Sequence, residues 1–449
     1  MELLSPMFRP GPGAQAFGPE ATIQALLDVE AALARAEADV GLIPPAAADS
    51  IAAHCHAARI DAERMAAEAA LAGNLAIPLI RQLTELVAAD DAVAAGFVHW
   101  GATSQDVLDT ALILQLRQAL AAIDDDLDAL IDLCAERCAR YRSLIMAGRT
   151  WLQQAPPITL GLKLAGLLDA LLRQRQRLRQ LRPRLLTLQL GGAVGTLAAL
   201  APHGLAVAER LAQRLTLAAP DLPWHSQRDR LAELACWCAL LCGMLGKLGR
   251  DVSLSMQTEI AELSEPEQAG RGGSSSMPHK RNPVACAVML AAGARAPGLA
   301  ATLLAAQVQE QERGLGGWQA EWEALPDLLS LCAGALNQAV TLLRGLEVDP
   351  DAMRRNLEAS RGLIMAEAVT MALGPRLGHA RAHQLVTACC KQARGQGISL
   401  ADALRDHPEL SALLDLAALP ALLDPSSQLG AADAMVERVL RHYREQENG

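Results

Sequence analysis

Apolar positions recur every three to four residues in this chain, over stretches far longer than an ordinary globular helix. From 107 to about 146 the series Leu108, Ala111, Leu112, Leu116, Leu120, Ile123, Leu127, Leu130, Cys134 and Cys138 keeps one face apolar, while Asp124, Asp125, Asp126 and Arg137 occupy the other. At about 1.5 Å per residue such a helix runs to roughly 60 Å. Four further stretches repeat the pattern, at 158–190, 227–263, 283–312 and 320–346. Five such helices cannot each bury a stripe inside one compact globule. The pattern therefore predicts a bundle of side-by-side helices, extended by other subunits.

Polar breaks separate the stripes. His99-Trp100-Gly101-Ala102-Thr103-Ser104-Gln105-Asp106 precedes the first, with Thr103 or Ser104 placed to cap it. A second break runs from Gly148 to Pro157, a third is Gly191-Gly192-Ala193-Val194-Gly195, and Trp224-His225-Ser226-Gln227-Arg228-Asp229 opens the next stripe. The fourth, AGRGGSSSMPHKRNP at 269–283, has the glycines and serines of a mobile loop. These breaks divide the chain into an N-terminal helical domain at 1–106, a central bundle at 107–346 and a C-terminal helical domain at 347–449.

Composition agrees with a helical chain. Half of the 449 residues are hydrophobic but only 2% are aromatic, so Ala and Leu dominate and strand-favouring residues are scarce. A net charge of −10 with no local basic block speaks against nucleic acid and anionic lipid as partners. The uninterrupted apolar runs are shorter than the ~18–20 residues of a membrane span, and no secretory leader is recognisable, which makes the cytoplasm the expected compartment. Ten cysteines without a CxxC pair fit reduced thiols, and no cluster suggests a metal site or other cofactor.

The loop 269–283 gathers three hydroxyls, an imidazole, two cations and an amide before a helix start at Pro283, where free N–H groups favour an anion. A carboxylate- or phosphate-binding site fits these residues. A solvated Ser/Gly linker fits the stretch up to Ser276 as well, and composition leaves both open. No Walker loop, GxGxxG, GxSxG or HExxH motif points elsewhere. Among the histidines, His99 stands out because Thr103 and Ser104 lie within a turn of it. His203, His225, His379, His383 and His407 fall near helix ends or on polar faces, and His54 and His56 read as surface positions.

The segment GSSSMPHKRNP at 273–283 resembles the signature of the fumarase/aspartase superfamily, which includes adenylosuccinate lyase and argininosuccinate lyase. VHWGATSQDVLDT (98–110), GRTWLQQAPPIT (148–159) and WHSQRDR (224–230) agree in the same order. DVEAALARAEADVGLIP (28–44) and VDPDAMRRNLEASRGLIMAEAV (348–369) carry the resemblance over nearly the whole chain. It implies an all-α fold of three helical domains, a homotetramer whose long helices pool into one core, and active sites each shared by three subunits. It also implies addition to, or elimination from, the carbon beside a carboxylate through an aci-carboxylate anion.

The superfamily's roles carry over to matching positions. Ser274 matches the base that exchanges the α-proton, and Lys280 and Asn282 match the groups that hold the aci-carboxylate. Thr103, Ser104, Gln153, Gln227 and Arg313 match polar substrate contacts, Arg149 is a candidate extra cation, and His99 is expected to orient the site. The chain departs from the lyases at Trp151 and Asn74, each replacing a histidine, and in QERGLGGWQAEWEALPD at 311–327. These departures resemble the superfamily's cycloisomerase branch, whose substrate is a small tricarboxylate. A departing carboxylate, with a pKa near about 4, needs no acid, whereas an amine does. An adenylosuccinate-type lyase is the rival reading, and a silent structural assembly is a second; retention of Ser274, Lys280 and Asn282 counts against the latter.

Overall fold

The computed structural model describes residues 2–415 and 417–447. Five long helices occur where the stripes lie: α1 (Ser104–Arg140), α2 (Leu160–Leu185), α3 (Asp229–Ser255), α4 (Val284–Ala305) and α5 (Gly317–Gly345). Shorter helices precede and follow them, the longest on the N-terminal side being Pro19–Asp39. The chain is all-α, and among the described residues the named strands form just two small antiparallel pairs, Ile145–Thr150 with Gln153–Thr159 and Leu263–Ser264 with Glu347–Val348.

Two compact units make up the chain, each discontinuous in sequence. The first comprises Met1–Asp128, Gln174–Lys247 and Val288–Gln338, and the second Ala129–Arg173, Leu248–Ala287 and Ala339–Gly449, so α1 to α5 each contribute residues to both. In the first unit the predicted stripe of α1 is buried at Leu116, Leu120, Ile123 and Leu127, together with Leu178 and Leu181 of α2, Leu241 and Leu245 of α3, and Leu328 and Leu331 of α5. In the second, Val369, Leu373, Leu385, Leu400, Leu404 and Leu410 form a separate apolar core. Cys238, Cys242 and Cys332 are buried thiols in contact within the first unit, as ordinary core residues.

The first long helix ends six residues short of the expected 146. Leu144, Ile145 and Met146 continue the apolar pattern, but residues 145–150 pair as a strand with 153–159 instead. Helix α2 then starts against the end of α1, with Gly161 donating its N–H to the Tyr141 carbonyl at 2.9 Å. The expected helix to 263 likewise stops at Ser255, and Leu263 pairs with Val348. His54, read as a surface position, is buried between the Ser50 carbonyl and Asp90.

Counting uninterrupted apolar runs understates two helices. By length and hydropathy α3 and α4 each meet the requirement for a membrane span, with 56% and 39% of their most apolar window buried within the chain. More than half of that α4 window is thus exposed or only partly covered within the chain.

Candidate active site

The polar breaks form two clusters, one in each unit. In the first unit the turn before α1 carries His99, Thr103 and Ser104. Gly101 there has φ +71°, and a Cβ on it would lie 2.4 Å from the Leu200 side chain, so the turn closes only with glycine. The Arg313 guanidinium donates to both the Thr103 and Ser104 hydroxyls, uniting residues more than 200 positions apart. Gln227 is exposed nearby in sequence to the buried His225 and Arg228.

Asp106 organises this cluster from beneath. Its buried carboxylate accepts the N–H groups of Thr103 at 3.0 Å and of Gly191 and Gly192 at 2.9 Å each, and lies 2.7 Å from Nε2 of His225. Three breaks that are distant in sequence are thereby held on one side chain. One turn further along α1, Asp109 shares the buried Arg228 guanidinium with Glu321 and accepts the Trp318 indole N–H. Burial raises the Glu321 carboxyl above its ordinary range, against the Arg228 charge. Such a buried Arg between two carboxylates is costly to desolvate but costlier to break.

His99 adopts a left-handed backbone, φ +57°, and its Nδ1 lies 2.7 Å from Oε1 of Glu30 on the helix Pro19–Asp39. Glu30 is fully buried. Burial alone would lower the imidazole, but Glu30 and then Asp106 carry its pKa above the usual histidine value.

In the second unit the signature loop is closed at its base. Asn282 donates its backbone N–H to the Gly272 carbonyl at 2.7 Å and its side-chain amide to the Gly273 carbonyl at 3.3 Å. Gly272 has φ +68°, and a Cβ would lie 2.6 Å from the Asn282 carbonyl oxygen. Arg281 pairs with Glu347 at 2.9 and 3.0 Å. The Ser274 hydroxyl accepts the Met277 N–H at 3.1 Å, and Lys280 is exposed.

Two expectations change here. The start of α4 is not open to an anion, because buried Glu265 accepts the Ala285 and Cys286 N–H groups at 3.0 and 2.9 Å. Arg149 is not a free cation, since both of its terminal nitrogens donate to buried Glu262, at 2.8 and 2.7 Å, and Asn356 donates to the same carboxylate at 2.9 Å.

Beyond Arg149 the strand pair turns in two residues, Trp151 and Leu152, with φ +51° and +61°. Hairpins of this kind favour Asn-Gly, and a left-handed conformation costs other residues ~1–2 kcal/mol each. Both side chains are nonetheless large and apolar, with Trp151 98% and Leu152 76% exposed within the chain. Gln153 follows, also exposed. The structure thus brings Thr103, Ser104 and Arg313 together, sets His99 on Glu30, and places Ser274, Lys280 and Asn282 on one closed loop. Sequence reasoning passed over Glu30, Asp106, Glu262 and Glu265. Two had readable signals: Glu30, an acid seven residues from Glu37 on an otherwise apolar face, and Asp106, at capping-box spacing from Thr103, whose N–H it accepts.

Comparisons with known proteins bear on the whole chain. A family model described as lyase matches residues 14–298, and one described as adenylosuccinate lyase C-terminus matches 362–439. A 3-carboxy-cis,cis-muconate cycloisomerase of Pseudomonas aeruginosa is 54% identical over 98% of the chain and 96% of its own length. A crystal structure of the 3-carboxy-cis,cis-muconate lactonizing enzyme from Pseudomonas putida superimposes with a TM-score of 0.94 at 48% identity, covering 99% of each chain. The corresponding cycloisomerase from Acinetobacter calcoaceticus sp. ADP1 gives 0.92 at 42% identity, covering 98% of this chain and 100% of the other.

Proposed function

The chain belongs to the lyase family, and from that premise we propose that it is an enzyme closing 3-carboxy-cis,cis-muconate to 4-carboxymuconolactone. The full-length similarity to cycloisomerases carries this reading over that of an adenylosuccinate-type lyase. Trp151 supports it chemically, because an indole supplies no proton and a departing or attacking carboxylate needs none.

In the forward direction one carboxylate oxygen attacks a double bond conjugated with another carboxylate. The electron pair moves onto that second group as an aci-carboxylate, and a proton then reaches its α-carbon. Lys280 and Asn282 hold the aci-carboxylate, and charge developing there is stabilised more strongly in a closed, dry site than in water. Ser274 exchanges the α-proton, its alkoxide form favoured by the neighbouring Lys280 charge. Arg313, with Thr103 and Ser104 oriented on it, receives another carboxylate; His99, Gln153 and Gln227 complete the polar wall, and Trp151 lies against the diene. Arg149 contributes by fixing the hairpin to Glu262.

The same reading includes three helical domains at 1–106, 107–346 and 347–449, a cytoplasmic homotetramer, active sites each built by three subunits, and a place in protocatechuate breakdown by the β-ketoadipate route. The only partly covered apolar surface of α4 and the exposed Trp151–Leu152 tip support partner subunits. Incubating purified protein with 3-carboxy-cis,cis-muconate and following the diene absorbance tests the activity. Loss of absorbance with formation of the lactone is the expected result, and cleavage of adenylosuccinate with an inert muconate would reverse the assignment.

A further inference from the structure

Glu30 and Glu37 lie two turns apart on the buried face of the helix Pro19–Asp39, among Leu26, Leu27, Leu33 and Ala34. Carboxyl groups are rarely found fully buried unless they are paired or have lost their charge. The two solve this differently. Neither oxygen of Glu37 has a hydrogen-bond partner among the described residues, and burial, followed by the Glu30 charge, pushes its carboxyl up to about 9. Glu37 is therefore a neutral acid at pH 7. Glu30 instead has a partner on a distant segment, the His99 ring, through Oε1 alone; its Oε2 is unbonded.

We propose that Glu30 is the positioning residue for His99: by accepting the Nδ1 proton it fixes the ring and leaves Nε2–H as its one donor, so that His99 serves as a cationic donor to a substrate carboxylate rather than as the base. This rests on the tricarboxylate reading above. The bond to Glu30 also offsets the cost of the left-handed backbone at His99. Nε2 has no protein partner among the described residues, and the His99 side chain retains 16% exposure, which leaves that edge open to a ligand.

The surrounding charges are accounted for. Glu30 faces His99 from the N-terminal helix and Asp106 from α1. Behind Glu30 stand neutral Glu37 and the Cys55 thiol, which burial and then Glu30 raise far above its usual value. On the helices packed alongside, His54 pairs with Asp90, and Arg210 and Arg214 act on Asp39. Asp28 and Arg35, on the same helix, act on Cys55 with opposite signs, and no cation other than His99 bonds Glu30 among the described residues.

The sign follows. Glu30 raises the imidazole, so the cation survives to higher pH in the wild type and is lost at lower pH when the charge is removed. Glu30→Gln keeps an acceptor oxygen facing Nδ1 while removing that charge. The basic limb of the kcat/KM profile on 3-carboxy-cis,cis-muconate should move down by at least ~1 pH unit, with the loss mainly in KM. Glu37→Gln, which replaces an already neutral group, should leave the limb in place, and His99→Gln should abolish it. A limb unmoved in Glu30→Gln but absent in His99→Gln would overturn the proposal while leaving the functional reading intact. A second measurement needs no substrate: diethyl pyrocarbonate modifies neutral imidazole, and mass spectrometry gives its rate at His99 against pH. The midpoint should fall in Glu30→Gln even if the muconate is not turned over, and an unchanged midpoint would overturn the coupling by itself.

Discussion

Arg149 and Glu262 form a two-pronged ion pair at 2.8 and 2.7 Å, with the carboxylate fully buried. The pair ties the hairpin that bears Trp151 to the segment leading toward the signature loop, and both lie within one compact unit. Glu262 cannot lose its partner without leaving a buried charge. Arg149→Ala should therefore lower stability by roughly 3 kcal/mol, read as a fall in the chemical-denaturation midpoint. Full stability in Arg149→Ala, with binding of the substrate weakened, would return Arg149 to the role of a substrate cation.

Ser274→Ala should lower kcat by at least ~10²-fold with unchanged circular dichroism, as the proposed role of the hydroxyl in proton transfer requires. Lys280→Ala should reduce kcat and raise KM together. Near-normal turnover in Ser274→Ala would move proton transfer to another group.

At the hairpin tip, Trp151→Phe should keep activity within about tenfold of wild type, whereas Trp151→Ala should lose more through misplacement of the diene. Trp151→His should not create adenylosuccinate cleavage, because Asn74 still replaces the second histidine. Assays of kcat/KM on both substrates for the three variants decide the point.

Much of this architecture was legible in the chain because long helices announce themselves by period, and all five stripes became helices. Their ends were less legible. Leu144, Ile145 and Met146 fit a helix as well as a strand, and the Trp151–Leu152 turn carries none of the Gly or Asn that usually marks a hairpin. The motif loop was readable, but its surroundings were not. Glu265 lies 20 residues before the N–H groups it caps, and nothing in local sequence tells that the helix start is already filled.

Glu37 gives a stability prediction with a definite sign. Its folded pKa, about 9, exceeds the ordinary carboxyl value of 4.5, so ionisation favours the unfolded chain as pH rises between them. Glu37→Gln should gain stability over wild type on going from pH 5 to pH 8, by about one to a few kcal/mol. Denaturant melts at the two pH values measure it; equal gaps at both would mean that Glu37 is ionised in the fold.

Sedimentation should find a tetramer at micromolar concentration, since more than half of the apolar α4 window is exposed or only partly covered within one chain. A stable monomer would remove both the assembly and the shared active site.

Trp151 supports almost nothing within its own subunit. Asp106 and Glu262, by contrast, are bound into the framework through several hydrogen bonds each. The residue proposed to lie against the diene is thus exempt from folding duty, and the left-handed turn that holds it would suit Asn or Gly better than a bulky apolar side chain. Mutation can explore new chemistry at the tip with little risk to the scaffold. A lineage built this way can vary the residue at the tip by trial at one site, while the signature loop and the helical frame are inherited whole.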